Sequence, residues 1–299
     1  MNSDSRSGPS APKRFAVLAV IIVPFVGFLY ACLTLWQHGY LEWFYIILAL
    51  VFYVLTGLGI TVGFHRLFTH ESFVANPSIR FLLAVLGSMA FQGSIIDWCT
   101  RHADHHQASD KPRDPHSPWK YGVSFWNLLK GVLHAQFMWL LKVGKPPENK
   151  CYKRLISDPI VSLVDSTTWF WMLTSAFLPA VLGHLYDPEH GFLKGFLWGS
   201  CARLFLLQHV TWAINSYCHI WGKRRFRSGD LSTDSYVFGI LAFGEGFHNG
   251  HHAFPRSALH GIDTPWLDLS YAVIRALKRA GLAKDVIIPS VDSINGKRR

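Results

Sequence analysis

Two apolar runs near the start of the chain, Phe15 to Trp36 and Trp43 to Phe64, limit what it can fold into more than any other feature. Each supplies the roughly 20 residues that an α-helix needs to cross the hydrocarbon core of a bilayer. Two further runs follow: Thr168 to Tyr186, interrupted by Pro179, and Phe192 to Asn215, which carries Arg203 and His209. Composition agrees, since half of the 299 residues are hydrophobic and only 16% are charged, against about 25% in soluble domains. The first run is too long for the apolar core of a secretory signal, so it is predicted to remain as a span. Residues 1–14 are polar and rich in Pro and Ser and are expected to form a disordered tail, leaving 15–299 as a single domain.

Four spans put both termini on one side, and basic residues identify that side. Three Lys or Arg lie in the N-terminal tail, twelve between His65 and Asp165 and twelve after Asn215. The connections between spans one and two and between spans three and four carry none, so the excess is expected to face the cytoplasm. The formal charge of +10 then follows from membrane sidedness, and nucleic acid is not needed to explain it. Five cysteines are scattered with no C-x-x-C pair, so neither a disulfide framework nor a thiolate zinc site is expected. Two shorter apolar stretches, Phe81 to Asp97 and Tyr236 to Gly246, read as interfacial or re-entrant helices under the membrane. The predicted architecture is all-α and integral to the membrane: four transmembrane helices (15–36, 43–64, 168–186, 192–215) with a cytoplasmic helical cap (65–167 and 216–299).

Nine of sixteen histidines fall in four tight groups on that side: "HRLFTH" (His65, His70), "HADHH" (His102, His105, His106), "NSYCH" (His219) and "HNGHH" (His248, His251, His252). On a helix, H-x-x-H-H spacing confines three imidazoles to an arc of about 100°. His65 and His70, five apart, diverge by about 140° on a regular helix, so either they serve different metals or the helix unwinds there. Asn215 and His219 are an i, i+4 pair. Nine neutral imidazoles exceed the three or four ligands of one zinc site and imply two metals. The other seven histidines, His38, His116, His134, His184, His190, His209 and His260, belong to no group and read as ordinary structural or surface residues, His209 being the best candidate for a supporting role. Carboxylates near the groups that suit the second ring nitrogens are Glu71, Asp97, Asp104, Asp110, Asp114 and Glu245.

The four groups, with the flanking "TVGFHRLFTH", "DWCTRHADHHQASDKPRDPHSP" and "GEGFHNGHHAFPRSALHG", resemble the histidine boxes of integral-membrane fatty acyl desaturases of the delta-9 acyl-CoA and acyl-lipid type. The resemblance runs from Trp36 to about His260. It implies that His65, His70, His102, His105, His106, His219, His248, His251 and His252 ligate two iron ions, and that Asn215 reaches one through water. No catalytic residue beyond the metal centre is implied. Ala103 stands where the second box usually has arginine, and Gly250 where the third commonly has a bulkier residue. The implied reaction is O2-dependent insertion of a cis double bond, of delta-9 position, into a saturated acyl chain carried on coenzyme A or lipid. Two electrons come from an external ferredoxin-, rubredoxin- or cytochrome b5-like donor with its reductase, at a bacterial inner membrane. Imidazole also binds zinc, so iron follows from the resemblance and not from the donor atoms.

Lys111, Arg113, Lys120, Lys223, Arg224, Arg225 and Arg227 are candidates for docking the donor or coenzyme A phosphates, against an ordinary positive-inside role. Two rival readings remain. Membrane hydroxylases also use histidine boxes, although their first box more often reads H-x-x-x-H. A metal transporter needs ligands at mid-membrane depth, whereas these groups sit at span ends.

Overall fold

The computed structural model describes residues 9–39, 41–142 and 144–299. The chain is mostly helical. Helix α1, Ala11–His38, starts inside the stretch expected to be a tail, because Pro12 occupies its first turn, where a missing N–H costs nothing. The helix thus overlaps the expected tail at residues 11–14, and residues 1–8 lie outside the described residues. Gly39 ends α1 in the left-handed conformation, φ 76°, donating to the Leu35 carbonyl. Helix α2, Trp43–Leu58, continues without a break into a π-helical segment, Gly59–Thr69, all eleven residues of which are buried.

A short strand β1 (Val74–Ala75) and helices α3 (Pro77–Ser88), α4 (Ile95–Ala108), α5 (Phe125–Gln136), α6 (Lys150–Ile156) and α7 (Pro159–Ser166) follow. Helix α8 spans Thr168–Tyr186, coinciding with the third predicted run. The fourth run lies within three consecutive segments: α9 (Gly191–Lys194), a second π-helical segment (Gly195–Ala202) and α10 (Arg203–Ser216). The remainder comprises α11 (Tyr236–Leu241), α12 (His248–Ala253), α13 (Leu269–Arg279), strand β2 (Ala283–Lys284) and α14 (Val291–Lys297). β1 and β2 pair antiparallel, Val74 opposite Lys284, a small departure from an all-α chain that pins the C-terminal region beside the end of α2.

The second π segment forms the middle of a bundle, with α1, α2 and α8 packed around it. Arg203 is buried there, and its guanidinium donates to the carbonyls of Gly199 (2.9 Å) and Ser175 (2.8 Å). Carbonyl acceptors thus satisfy a charge that apolar surroundings would otherwise make costly. The π segment after α2 crosses α3 closely: a Cβ on Gly59 would lie 2.2 Å from the Gly87 nitrogen, so only glycine fits.

Outward faces are apolar. Phe15, Trp36, Trp43 and Trp169 are each more than 60% exposed, and such a surface calls for a nonaqueous neighbour. Two helices, Ala11–His38 and Trp43–Thr69, are long and apolar enough to cross a membrane among the described residues. The Phe81 to Asp97 stretch divides between α3, a loop and the start of α4, while Tyr236 to Gly246 forms the short α11 and turns. Neither contains a helix of spanning length.

Candidate metal centre

The π segment at the end of α2 settles how two histidines five residues apart act together. Hydrogen bonds in a π-helix run from i to i+5, and the His70 N–H donates to the His65 carbonyl at 3.1 Å. The two rings therefore face the same side, centroids 4.8 Å apart. Of the two alternatives left by the spacing, the local rewinding is the one adopted.

The nine clustered histidines converge as two groups. His65, His70, His102, His106 and His251 form one, and His105, His219, His248 and His252 the other; within each group the candidate ligand atoms lie within 4.8 Å of one another. Helix α4 gives His102 and His106 to the first and His105 to the second. Helix α12 does the reverse, giving His251 to the first and His248 and His252 to the second. Adjacent residues of one helix thus feed different groups, and the His106 and His252 rings stack across the boundary at 4.4 Å.

Within the first group, Nε2 atoms of His65 and His251, His70 and His102, and His102 and His106 are each 3.0 Å apart, and those of His106 and His251 are 2.8 Å apart. In the second, His219 and His248 are 3.0 Å apart through Nε2. Two nitrogens bound at right angles to one ion, each about 2.1 Å from it, would be separated by about 3.0 Å. The spacing fits shared coordination.

The opposite ring nitrogens explain why Nε2 is bare. His105 Nδ1 lies 3.0 Å from Asp114, His219 Nδ1 2.9 Å from Asp110 and His252 Nδ1 2.5 Å from Asp230, while His65 Nδ1 meets Glu245. An ionised carboxylate only accepts, so the Nδ1 atoms facing Asp114, Asp110 and Asp230 donate and leave lone pairs on Nε2. His105 Nε2 and His252 Nε2 are buried without any protein partner. An unmatched acceptor is costly in such a site, and a cation would satisfy both. Burial first, then neighbouring imidazoles, holds His102, His106, His248 and His251 well below the ordinary imidazole range, in the neutral form that ligates. Burial pushes the Glu245 carboxyl up to about 8, with Arg66 opposing.

Of the carboxylates singled out from sequence, Asp110, Asp114 and Glu245 meet clustered histidines. Glu71 instead pairs with Arg154, and Asp97 with Arg101; Asp104 is buried within α4. Asp230 was missed because it lies 22 residues from His252 in an irregular segment with no periodic cue. Two histidines read as ordinary are also corrected. His116 is buried against His105, centroids 4.3 Å apart, and beside Asp114. His260 is buried between His65 and Arg66, whose Nε donates to its Nε2 at 3.3 Å. Arg66 in turn pairs with buried Asp268 at 2.9 Å. His209 is no support for the clusters: it packs on Phe205 and Trp212 and meets Gln136. His134 faces the Pro115 carbonyl, and His38, His184 and His190 are exposed.

A cavity of about 580 Å³, mostly apolar, reaches the histidines. Val17 and Val20 of α1, Trp169 and Met172 of α8, and His65, His102, His248 and Asn215 line it. Asn215 therefore shares this cavity with ligand candidates of both groups. Gly250 is explained by packing, since a Cβ there would lie 2.6 Å from the His260 carbonyl oxygen. The basic residues separate. Lys111, Arg224 and Arg227 line a single surface depression together with Arg299. Arg225 turns to Asp263, and Lys223 is tied to Asp234 through its backbone. Arg113 and Lys120 are exposed but do not line that depression.

Comparison with known proteins gives a consistent picture. The sequence profile described as fatty acid desaturase matches residues 41–283. The chain is similar to the hex-5-enoyl-acyl-carrier-protein acetylenase of Moorena producens, 32% identical over 93% of this chain and 87% of that protein. It is similar to delta-9 acyl-lipid desaturase 1 of Arabidopsis thaliana, 35% identical over 93% of this chain and 85% of the relative. The sn-1 stearoyl-lipid 9-desaturase of Anabaena variabilis is 34% identical, over 82% of this chain and 85% of the relative.

Proposed function

This chain belongs to the fatty acid desaturase family, and from that premise we propose that it is an O2-dependent oxidoreductase placing a cis double bond at the delta-9 position of a saturated acyl chain. The observation that carries the reading is the junction of an apolar cavity with two adjacent histidine groups. The overall change is –CH2–CH2– plus O2, two electrons and two protons, giving –CH=CH– and two waters.

Two iron ions held by the five- and four-histidine groups would supply the oxidising power for an unactivated C–H bond, which side-chain acids and bases lack. Asp110, Asp114 and Asp230 orient the imidazoles by accepting from Nδ1, and Glu245 holds the His65 ring through its own Nδ1 contact. Asn215, which lines the cavity together with His248, would hold a water for one of the ions. Trp98, stacked on His102 at 5.1 Å, gives an acyl methylene an apolar wall next to the metal-facing rings. Apolar walls exclude bulk water from the reacting carbons.

The acyl group arrives on a lipid or on coenzyme A. Its hydrocarbon part belongs in the bilayer, and four crossings by α1, α2, α8 and the α9 to α10 run would set the histidines at its cytoplasmic boundary. Helix α5, with Phe125, Trp126, Leu129 and Leu133 exposed, would lie in that boundary on its apolar face. Residues 15–299 then act as one catalytic domain, and a separate protein supplies the electrons.

The deciding experiment is expression in a host with a compatible reductase system, followed by gas chromatography and mass spectrometry of total lipids with double-bond location. New delta-9 cis unsaturation is expected. A hydroxylated product without unsaturation overturns the assignment, as does undiminished product after His251→Ala. For the topology, cysteines engineered near each terminus are expected to be protected from an impermeant reagent added outside intact cells; labelling of either terminus contradicts four crossings.

A further inference from the structure

The depression lined by Lys111, Arg224, Arg227 and Arg299 has an unusual floor. Its volume is about 450 Å³, and Asp110 and Asp230 form part of its lining. These are the two carboxylates bonded to His219 and His252, both of the four-histidine group. One carboxylate therefore separates the depression from a metal-facing imidazole along each of two parallel routes. The five-histidine group is approached differently: behind His65 stand buried Glu245, Arg66, Asp268 and His260, and the other opening is the apolar cavity.

Charge points the same way. Asp110 and Asp230 are spent on their histidines and on nearby donors, Asp110 accepting the Leu231 N–H at 2.9 Å and Asp230 the hydroxyls of Ser228 and Ser232. Arg224 Nε is buried with no acceptor. On the same surface Arg225 and Arg298 are matched by Asp263, whereas neither Lys111 nor Arg227 has a carboxylate partner among the described residues. The depression thus sets four basic side chains against the two floor carboxylates, leaving it net positive over a hydrogen-bonded path to the four-histidine group.

We propose that this depression is the docking face for an acidic one-electron carrier protein, and that electrons enter the four-histidine group through Asp230–His252 and Asp110–His219. The inference rests on the desaturase reading, which needs electrons from outside the chain. Each encounter oxidises one reduced carrier by one electron. Two encounters per double bond complete the reduction of O2 to two waters, with two hydrogens taken from the acyl chain and two protons from solvent.

The test compares the protein in neutral-lipid nanodiscs with its Lys111→Glu/Arg227→Glu variant, using an acidic plant-type 2Fe–2S ferredoxin as probe. Affinity is measured on zinc-loaded protein, so the readout does not depend on turnover. Charge reversal at the rim is expected to weaken binding about tenfold and to flatten its salt dependence. On iron-loaded protein it slows oxidation of reduced ferredoxin by a similar factor, while reduction by dithionite through a small uncharged mediator and the metal content stay unchanged. Unaltered ferredoxin affinity overturns the proposal. So does a variant whose only loss is association with anionic vesicles, since that would make the rim a lipid contact. Absence of unsaturated product with ferredoxin binding intact refutes the desaturase reading alone.

Discussion

The backbone N–H of His70 donates to the carbonyl of His65 across 3.1 Å, so two histidines that a regular helix would turn apart face one point. The π segment that makes this bond also packs closely against α3 through Gly59 and Gly87. Gly59→Ala is expected to push these backbones apart, lowering stability by about 1–3 kcal/mol as overpacking does, and to reduce bound metal. Thermal melts together with metal stoichiometry check both effects. Full metal occupancy in a destabilised variant would uncouple the helix crossing from ligation.

Carboxylates that orient ligands should matter nearly as much as the ligands. Asp114→Asn and Asp230→Asn are each expected to lower metal affinity by about 10- to 100-fold, measured by chelator competition. Glu71→Gln is the control, because Glu71 pairs with Arg154 and not with a clustered histidine. Equal losses in all three variants would show general destabilisation instead of an effect on ligand orientation.

Acid should loosen the metal-free protein. His70, His102, His106, His248 and His251 are held well below their ordinary value of 6.5, by burial first and neighbouring imidazoles next. Below that value the unfolded chain binds more protons than the folded one. Stability is therefore level above it and falls as pH drops through it, by at most about 1.4 kcal/mol per pH unit for each histidine. Protons also compete with metal for the same lone pairs. Melts of metal-free protein on either side of that value test the sign, and greater stability on the acid side would contradict it.

Filling the cavity from its α1 wall should alter chain-length preference without disturbing the metals. Val20 lines the cavity from α1. Val20→Trp is expected to shift products toward shorter acyl chains with metal content unchanged. Host lipid profiles measure this, and an unchanged length distribution would place the acyl chain elsewhere.

Much of the fold was legible because its signals are local. Four apolar runs became helical stretches close to their predicted limits, and the histidine boxes marked which segments meet at the site. Helix α1 reaches into the expected tail because Pro12 opens a helix as readily as it sits in a polar leader. What sequence did not reveal was partnership. His105 and His106 are adjacent in sequence yet enter different groups, and their opposite numbers His251 and His252 divide in the same way.

The sequence by itself determined the chemistry available: neutral imidazoles in number for two metals, beside chains apolar enough to hold a lipid-like substrate. Tertiary structure alone decided the division into five and four, the choice of Asp230 as the partner of His252, and the burial of His260 between Arg66 and His65. Periodicity records which side of one helix a residue takes. It carries no record of which distant segment will pack there, and hydrogen bonds formed across that packing are set only when the backbones have met.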